Sequence, residues 1–177
     1  MPDRLTELLD KQAIAETIYR YAQAVDRRDP DLMASVFVAA GKLHLGTYDD
    51  DVNDLVARWR SSQPTDFLLT HHQVGNILIE FRGPGRAVAV TYLTALQRAR
   101  HDGNLVDEIV RARYLDRLVK QDDTWRFAER TLVYDWSHVA PADERWWWEQ
   151  PGTSALTGER GSSDPSVAFL ANDRYGG

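Results

Sequence analysis

Four strand-length segments lie one after another in the second half of this sequence, and short turns join them. The segments span residues 68–81, 87–100, 105–120 and 125–136, and the turns fall at 83–85, 101–104 and 121–123. The turn sequences Gly-Pro-Gly, His-Asp-Gly-Asn and Gln-Asp-Asp contain residue types that tight hairpin connections favour. Consecutive hairpins of this length predict an antiparallel sheet, which limits the chain to a small set of folds.

Helices are predicted before the sheet. The first ends at about residue 28, and every fourth position along it belongs to one row: Ile14, Ile18, Ala22, Asp26. Shorter helices are predicted at 31–37 and 52–61, with a short strand at 42–45 between them. Helices followed by antiparallel hairpins are typical of an α+β protein in which the helices cover one face of a curved sheet.

The carboxylate of Asp26 is the last member of that row, so the pattern places it at the border of the buried face. Burying a carboxylate is costly unless a cation or several hydrogen-bond donors satisfy it. We therefore expect a partner from elsewhere in the chain to meet Asp26. The alternative is an ordinary helix end, with Asp26 in solvent or capping the next helix.

Length and composition bound the architecture and the partners. With 177 residues, 43% hydrophobic and 27% charged, the chain is predicted to form one globular domain over residues 1–140, followed by a tail over 141–177. In the tail, residues 141–149 are predicted as a short helix with three consecutive tryptophans, and the remainder as extended or partly disordered. A net charge of −6 argues against nucleic-acid binding, and since no signal segment or membrane span is seen we expect a cytoplasmic protein.

Two adjacent histidines in the first long strand are candidate catalytic residues. Because neighbours in a strand point to opposite faces, only one of His71 and His72 can face the interior. Simple alternation favours His71, which shares its face with Ile77 and Ile79. A β-bulge at Gly75 would reverse that assignment, so the pattern leaves both histidines open.

Arg130 is the third informative position. Alternation along the last predicted strand puts it on a face with Ala128, Leu132, Tyr134 and Trp136. A guanidinium in such a row is the ion-pair partner of a buried carboxylate, a group that binds a substrate oxygen, or a solvated arginine on the outer face.

Three blocks of the sequence resemble the SnoaL-like branch of the nuclear transport factor 2-like superfamily. They are AIAETIYRYAQAVD at 13–26, HHQVGNILIEF at 71–81, and RYLDRLVK at 113–120 followed by WRFAER at 125–130. The resemblance covers about residues 8–138. It implies a cone-shaped, curved antiparallel sheet wrapped around the long N-terminal helix, the α+β barrel of nuclear transport factor 2-like and cystatin-like folds, with an apolar pocket.

Members of this branch use an Asp–His dyad without a cofactor, and the resemblance places that dyad on Asp26 and His72. It also implies roles for Tyr21, five residues before the aspartate, and for Arg130. His72 would take a proton from carbon, and Asp26 would fix its tautomer and stabilise the imidazolium. Tyr21 and Arg130 would donate hydrogen bonds to a carbonyl, an enolate or a departing hydroxide.

The expected activity is that of a cofactor-independent lyase, a dehydratase-type β-elimination on a small apolar cyclic compound such as a steroid, terpenoid, polyketide or halogenated ring. The alternatives are an isomerase or polyketide cyclase with the same dyad, a non-catalytic ligand-binding domain, or the small subunit of a ring-hydroxylating dioxygenase. No metal or cofactor is expected, because cysteine is absent and the five histidines lack metal-binding spacings. The resemblance implies a homotrimer, with a dimer as the alternative.

Overall fold

The computed structural model describes residues 4–46, 48–61, 65–143, 152 and 154–171. Within these residues the chain forms four helices and six strands. In chain order they are α1 (Arg4–Arg27), α2 (Pro30–Ser35), β1 (Phe37–His44), β2 (Asp49–Asp51), α3 (Val52–Arg60), β3 (Phe67–Phe81), β4 (Arg86–His101), β5 (Asn104–Gln121), β6 (Thr124–Pro141) and α4 (Pro165–Ala171).

The six strands form one open, curved sheet in the order β2-β1-β6-β5-β4-β3. Neighbouring strands are antiparallel except β1 and β6, which run parallel. The strands β3 to β6 are the predicted consecutive hairpins, and β6 continues to Pro141, five residues beyond its predicted end. The predicted α+β class, with a curved antiparallel sheet and a long N-terminal helix, is confirmed.

Two of the hairpin turns adopt the backbone that their residues favour. Asp102 and Gly103 have φ angles of 50° and 82°, and Asp122 and Asp123 have φ angles of 49° and 58°. Positive φ at both central residues is the two-residue turn whose twist matches that of the flanking strands. Glycine adopts it freely and aspartate tolerates it, so the turns predicted at 101–104 and 121–123 form where the sequence placed them.

Helix α1 is fixed to the sheet by polar anchors as well as by its apolar face. The Thr17 hydroxyl donates to the backbone carbonyl of Trp125 at 3.0 Å. Near the start of the helix, the Asp10 carboxylate accepts from the Trp125 indole at 2.9 Å and from the Lys120 ammonium at 3.0 Å. These contacts set the position of α1 along the sheet, and so they set where its last turn meets β3.

Two element boundaries differ from the sequence prediction around residues 30–45. Helix α2 ends at Ser35 rather than at Phe37, and Phe37 instead begins β1, which is longer than the predicted strand at 42–45. The physical reason is burial, because the Phe37 ring packs against Tyr21 and Phe127 with centroid distances of 6.0 and 5.1 Å. A strand carries that ring into the core.

The tail differs from the prediction of an extended or partly disordered segment. Residues 165–171 form helix α4, and Asp164 before it is buried. The Asp164 carboxylate accepts from the Ser166 backbone N–H at 2.9 Å, and Pro165 takes the first helical position. Aspartate followed by proline is a helix start signal, and it accounts for the helix. Most of the tryptophan-rich helix predicted at 141–149 lies outside the described residues.

Candidate active site

Asp26 lies in the last turn of α1 and is buried, with 7% of its surface exposed. The every-fourth-residue row from Ile14 through Ile18 and Ala22 is buried along its whole length. The helix therefore turns the Asp26 carboxylate toward the sheet rather than toward solvent, as the row predicted.

His72 on β3 meets this carboxylate through two separate hydrogen bonds. The distance from His72 Nδ1 to Asp26 Oδ1 is 2.6 Å, and the His72 backbone N–H donates to Asp26 Oδ2 at 2.8 Å. An ionised carboxylate only accepts hydrogen bonds, so Nδ1 carries the proton and Nε2 of the neutral ring keeps its lone pair. Asp26 thus fixes the tautomer and the orientation of the imidazole, and the His72 side chain is only 8% exposed.

The contacts with His72 also determine the charge of Asp26. Burial acts to raise the pKa of the Asp26 carboxyl, but the hydrogen bonds from the His72 ring and backbone, together with the ring's charge, lower it below its ordinary value. The carboxylate is therefore ionised at neutral pH, as an acceptor for imidazolium must be.

A β-bulge decides which histidine meets Asp26. Val74 pairs with Leu93 and Ile77 pairs with Thr91, so β3 has one extra residue between these two pairs. The bulge falls at Gly75 and Asn76, and it puts His72 on the face of β3 that also carries Ile77 and Ile79. The face is the partly buried one, whereas His71 is exposed. Simple alternation, which favoured His71, was wrong because it assumed an unbroken pleat.

Tyr21 and Arg130 lie together in a different place, inside the core. The Arg130 side chain is fully buried, and its Nε and Nη2 atoms donate to the two oxygens of Asp116, each at 2.7 Å. Its guanidinium carbon lies 4.1, 3.9 and 4.0 Å from the ring centroids of Tyr21, Tyr114 and Phe127. Of the three possibilities left open for Arg130, the solvated one is excluded, and the ion pair with a buried carboxylate is present.

The row predicted for Arg130 is correct in part. Leu132 and Tyr134 share its face, because they pair with Tyr114 and Ala112 on the same face of β5 as Asp116, whereas Ala128 and Trp136 do not share it. Glu129 pairs with Arg117 and Phe127 pairs with Leu118, so Ala128 is an extra residue in β6. This bulge brings Arg130 onto the buried face with Phe127 instead of with Ala128.

Two members of this buried cluster, Asp116 and Tyr114, were not identified from the sequence. They lie on the same face of β5 as three buried apolar residues: Val110, Ala112, Leu118. A carboxylate within an apolar alternating row is the same signal that identified Asp26, read at a period of two instead of four. Burial raises the pKa of the Tyr21 hydroxyl to about 12 and that of Tyr114 well above its ordinary value, so both phenols keep their protons.

Asp26 and His72 line a cavity of about 480 Å³ at the junction of α1, β3 and the tail. Its remaining wall consists of Tyr19, Ala22, Gln23, Arg27, His71, Val74, Asp164 and Ser166. Tyr21 and Arg130 are not in that wall. The structure thus brings two of the four predicted site residues to a shared cavity and places the other two in the neighbouring core.

The tail closes one side of this cavity through contacts with the end of α1. The Arg27 guanidinium donates to the Asp164 carboxylate at 2.6 Å and to the Glu159 carbonyl at 2.7 Å. The Gly161 N–H donates to the Arg27 carbonyl at 2.6 Å, and Arg160 donates to the Val25 carbonyl at 3.1 Å. We call residues 154–166 the strap; it satisfies carbonyls at the C-terminal end of α1 that the helix leaves free.

Among the residues that the structure describes, no three His, Asp or Glu side chains are grouped so that they could hold a metal ion. None of the helices within the described ranges is long and apolar enough to cross a membrane.

A family model for the SnoaL-like domain matches residues 6–131. No curated protein sequence matches the chain. Among solved structures, a putative scytalone dehydratase from Novosphingobium aromaticivorans is similar at 24% identity, with a TM-score of 0.65 and coverage of 78% of this chain and 94% of that chain. A type 2 hexachlorocyclohexane dehydrochlorinase (LinA) is similar at 15% identity, with a TM-score of 0.69 and coverage of 85% and 99%.

A third similar structure extends into the strap. Rv3472, a protein of unknown function from Mycobacterium tuberculosis, is 19% identical with a TM-score of 0.63, and the match covers 97% of this chain and 89% of that one. At these identities the three structures establish a shared fold.

Proposed function

Because this chain belongs to the SnoaL-like domain family, we propose that it is a cofactor-independent lyase that eliminates a β-leaving group from a small apolar cyclic compound. The observation that carries the proposal is the 2.6 Å contact between Asp26 and His72 in the wall of a cavity. A dehydratase-like protein and a dehydrochlorinase are among the solved structures with the same fold. Both of these names describe eliminations.

In the proposed step, Nε2 of His72 takes a proton from the carbon next to the one that bears the leaving group. The electrons of the broken C–H bond form the new C=C bond, and the leaving group departs with its own bonding pair. Asp26 stabilises the imidazolium that results. When the leaving group is hydroxide, the proton now on His72 is available to convert it to water.

Tyr21 and Arg130 are proposed to stabilise the negative charge that develops. Arg130 Nη1 is buried and has no acceptor among the described residues, whereas the other two nitrogens serve Asp116. Tyr21 lies five residues before Asp26 on α1, and its ring centroid lies 4.1 Å from the Arg130 guanidinium carbon, so the buried cluster adjoins the end of the helix that carries Asp26. In a water-poor interior such a cation acts over a longer distance than in solvent.

Hydrogen–deuterium exchange at the carbon next to a carbonyl tests proton abstraction without requiring the natural leaving group. We expect the wild-type protein, incubated in D₂O with a panel of cyclohexanones, decalones and steroid ketones, to exchange at least one of them. His72→Ala and Asp26→Asn should slow the exchange by about 100-fold or more. His101→Ala is the matched control and should exchange normally, since this histidine is exposed and lies outside the wall of the cavity. Undiminished exchange by His72→Ala would rule out histidine as the base.

An isomerase or polyketide cyclase begins with the same proton abstraction and is the nearest alternative. Product analysis separates them, because only elimination releases water or halide. The small subunit of a ring-hydroxylating dioxygenase is kept as an alternative, since one similar structure is a putative aromatic ring hydroxylase. Turnover by the purified chain alone would exclude it. A non-catalytic ligand-binding domain would bind ring compounds equally well after His72→Ala.

The remaining parts of the proposal concern setting and assembly. We propose a cytoplasmic homotrimer that acts on a steroid, terpenoid, polyketide or halogenated ring. Apolar side chains on the sheet and on α4 that are exposed in the monomer support association: Leu78, Tyr92, Trp136, Phe169, Leu170. Sedimentation equilibrium at several protein concentrations measures the assembly, and a monomer throughout would contradict it.

A further inference from the structure

A second cavity adjoins the one that contains Asp26 and His72. Its volume is about 830 Å³, compared with about 480 Å³ for the first. Arg27 and His71 belong to the walls of both cavities, so the two spaces meet along these two residues. A ligand bound at His72 therefore has a neighbouring space that is larger than the one in which it would react.

Apolar side chains from four segments contribute to the wall of the second cavity. Leu69, Leu96 and Ile109 contribute from three neighbouring strands, and Leu156 contributes from the strap. The strongest polar pair in the wall is already satisfied, because Arg98 donates to both oxygens of Asp107 at 2.6 Å. A wall to which four segments contribute apolar side chains favours apolar ligand atoms.

One segment covers both cavities. Strap residues 155–158 line the larger cavity, and Asp164 and Ser166 line the smaller one. Between them Arg27 holds the strap at Glu159 and Asp164. The strap is thus a wall that the two cavities share.

We propose that the substrate is a ring that bears an uncharged apolar chain, with the ring at His72 and the chain in the second cavity. This inference rests on the proposed function, since it takes the Asp26–His72 cavity as the place of reaction. A six-membered ring alone would leave the larger space unused. The wall of that space carries two cations, Arg27 and Arg98, and two anions, Asp107 and Glu108, so it offers no excess charge to a charged chain end.

Calorimetric titration of a homologous series tests the second cavity through binding alone. The probes are cyclohexanone and its 4-ethyl, 4-butyl and 4-hexyl derivatives. Wild-type protein should bind each longer probe more tightly, by about threefold to fourfold for every buried methylene. Ile109→Trp fills the second cavity and should abolish this dependence while leaving the affinity for cyclohexanone unchanged. Ala155→Trp narrows the same space from the exposed strap, and it replaces Ile109→Trp in the test if that variant fails to fold.

Leu115→Trp is the matched control, because it adds the same indole to β5 at a position that is 40% exposed and in neither cavity wall. It should keep the chain-length dependence. No dependence in the wild type, no binding of any probe, or an unchanged dependence in both Ile109→Trp and Ala155→Trp would overturn the inference. A normal dependence with unimpaired exchange in His72→Ala would instead refute the proposed function and leave the chain-binding cavity standing.

Discussion

Replacing Arg130 by methionine removes a buried cation and leaves its partner in place. Arg130 has no exposed surface, and Asp116 is 3% exposed. Methionine occupies much of the volume of the arginine stem, so the cavity left behind is small. The dominant change is that the Asp116 carboxylate loses both of its 2.7 Å hydrogen bonds and remains in the core.

The size of the effect follows from that uncompensated charge. Breaking a buried ion pair by removing one partner costs about 3–5 kcal/mol of unfolding free energy. With an m-value in urea of about 2 kcal/mol/M, the midpoint of unfolding should fall by about 2 M. Replacing both partners, as Asp116→Leu with Arg130→Met, should recover most of the loss, since a well-packed apolar pair is often as stable as the buried ion pair it replaces.

Urea unfolding at a fixed protein concentration measures these values for the wild type, both single variants and the double variant. The deficit of Arg130→Met should also shrink as the pH is lowered. Without its cation, the buried Asp116 carboxyl has a higher pKa in the folded state than in the unfolded state. The variant is therefore most stable at pH values below the unfolded-state pKa, and it loses stability as the pH rises through the folded-state pKa. A loss below about 1 kcal/mol, or a double variant less stable than Arg130→Met, would refute this account of the pair.

Two other variants probe the strap and the bulge. Burial acts to raise the pKa of the Asp164 carboxyl, but hydrogen bonds from Ser166 and Glu159 and the charge of Arg27 lower it below its ordinary value. Asp164 therefore stabilises the fold at pH values above its unfolded-state pKa, and this stabilisation is lost as the pH falls through the folded-state pKa. Asp164→Asn should therefore lower the melting temperature at pH 7 more than at pH 3, and equal shifts would contradict this. A Cβ at Gly75 would lie 3.1 Å from the Tyr92 carbonyl oxygen. Gly75→Val should therefore lower the free energy of unfolding in urea by about 1–3 kcal/mol and slow the D₂O exchange. Normal exchange would show that the bulge does not position His72.

Much of the fold was predictable because its signals are local. The period of four in α1 and the hairpin turns act within a few residues, and each lies where the sequence placed it. The errors occurred where a distant partner decides the outcome. Phe37 joins β1 because rings from α1 and β6 pack against it, and no local pattern around residue 37 contains that information.

The candidate site was predictable to the same extent. Asp26 was identified because a helical row specifies both its face and its burial. His72 and Arg130 each depend on a single extra residue in a strand, at Gly75–Asn76 and at Ala128. A bulge reverses the face of the sheet on which each side chain beyond it lies, and composition gives only weak hints of where a bulge falls. The contact of Asp164 with Arg27 spans 137 residues, so no pattern within the tail alone predicts it.

Two of the buried carboxylates, Asp26 and Asp116, show why proton transfer is assigned to one pair and not to the other. Asp116 faces an arginine, whose charge does not change at any pH at which the protein is folded, so Arg130 cannot exchange a proton. Asp26 faces a histidine, the side chain whose charge changes near neutral pH. Its ring also reaches the wall of a cavity, whereas Arg130 is sealed among three aromatic rings. Only the Asp26–His72 pair combines a transferable proton with a space in which a substrate can receive or lose it.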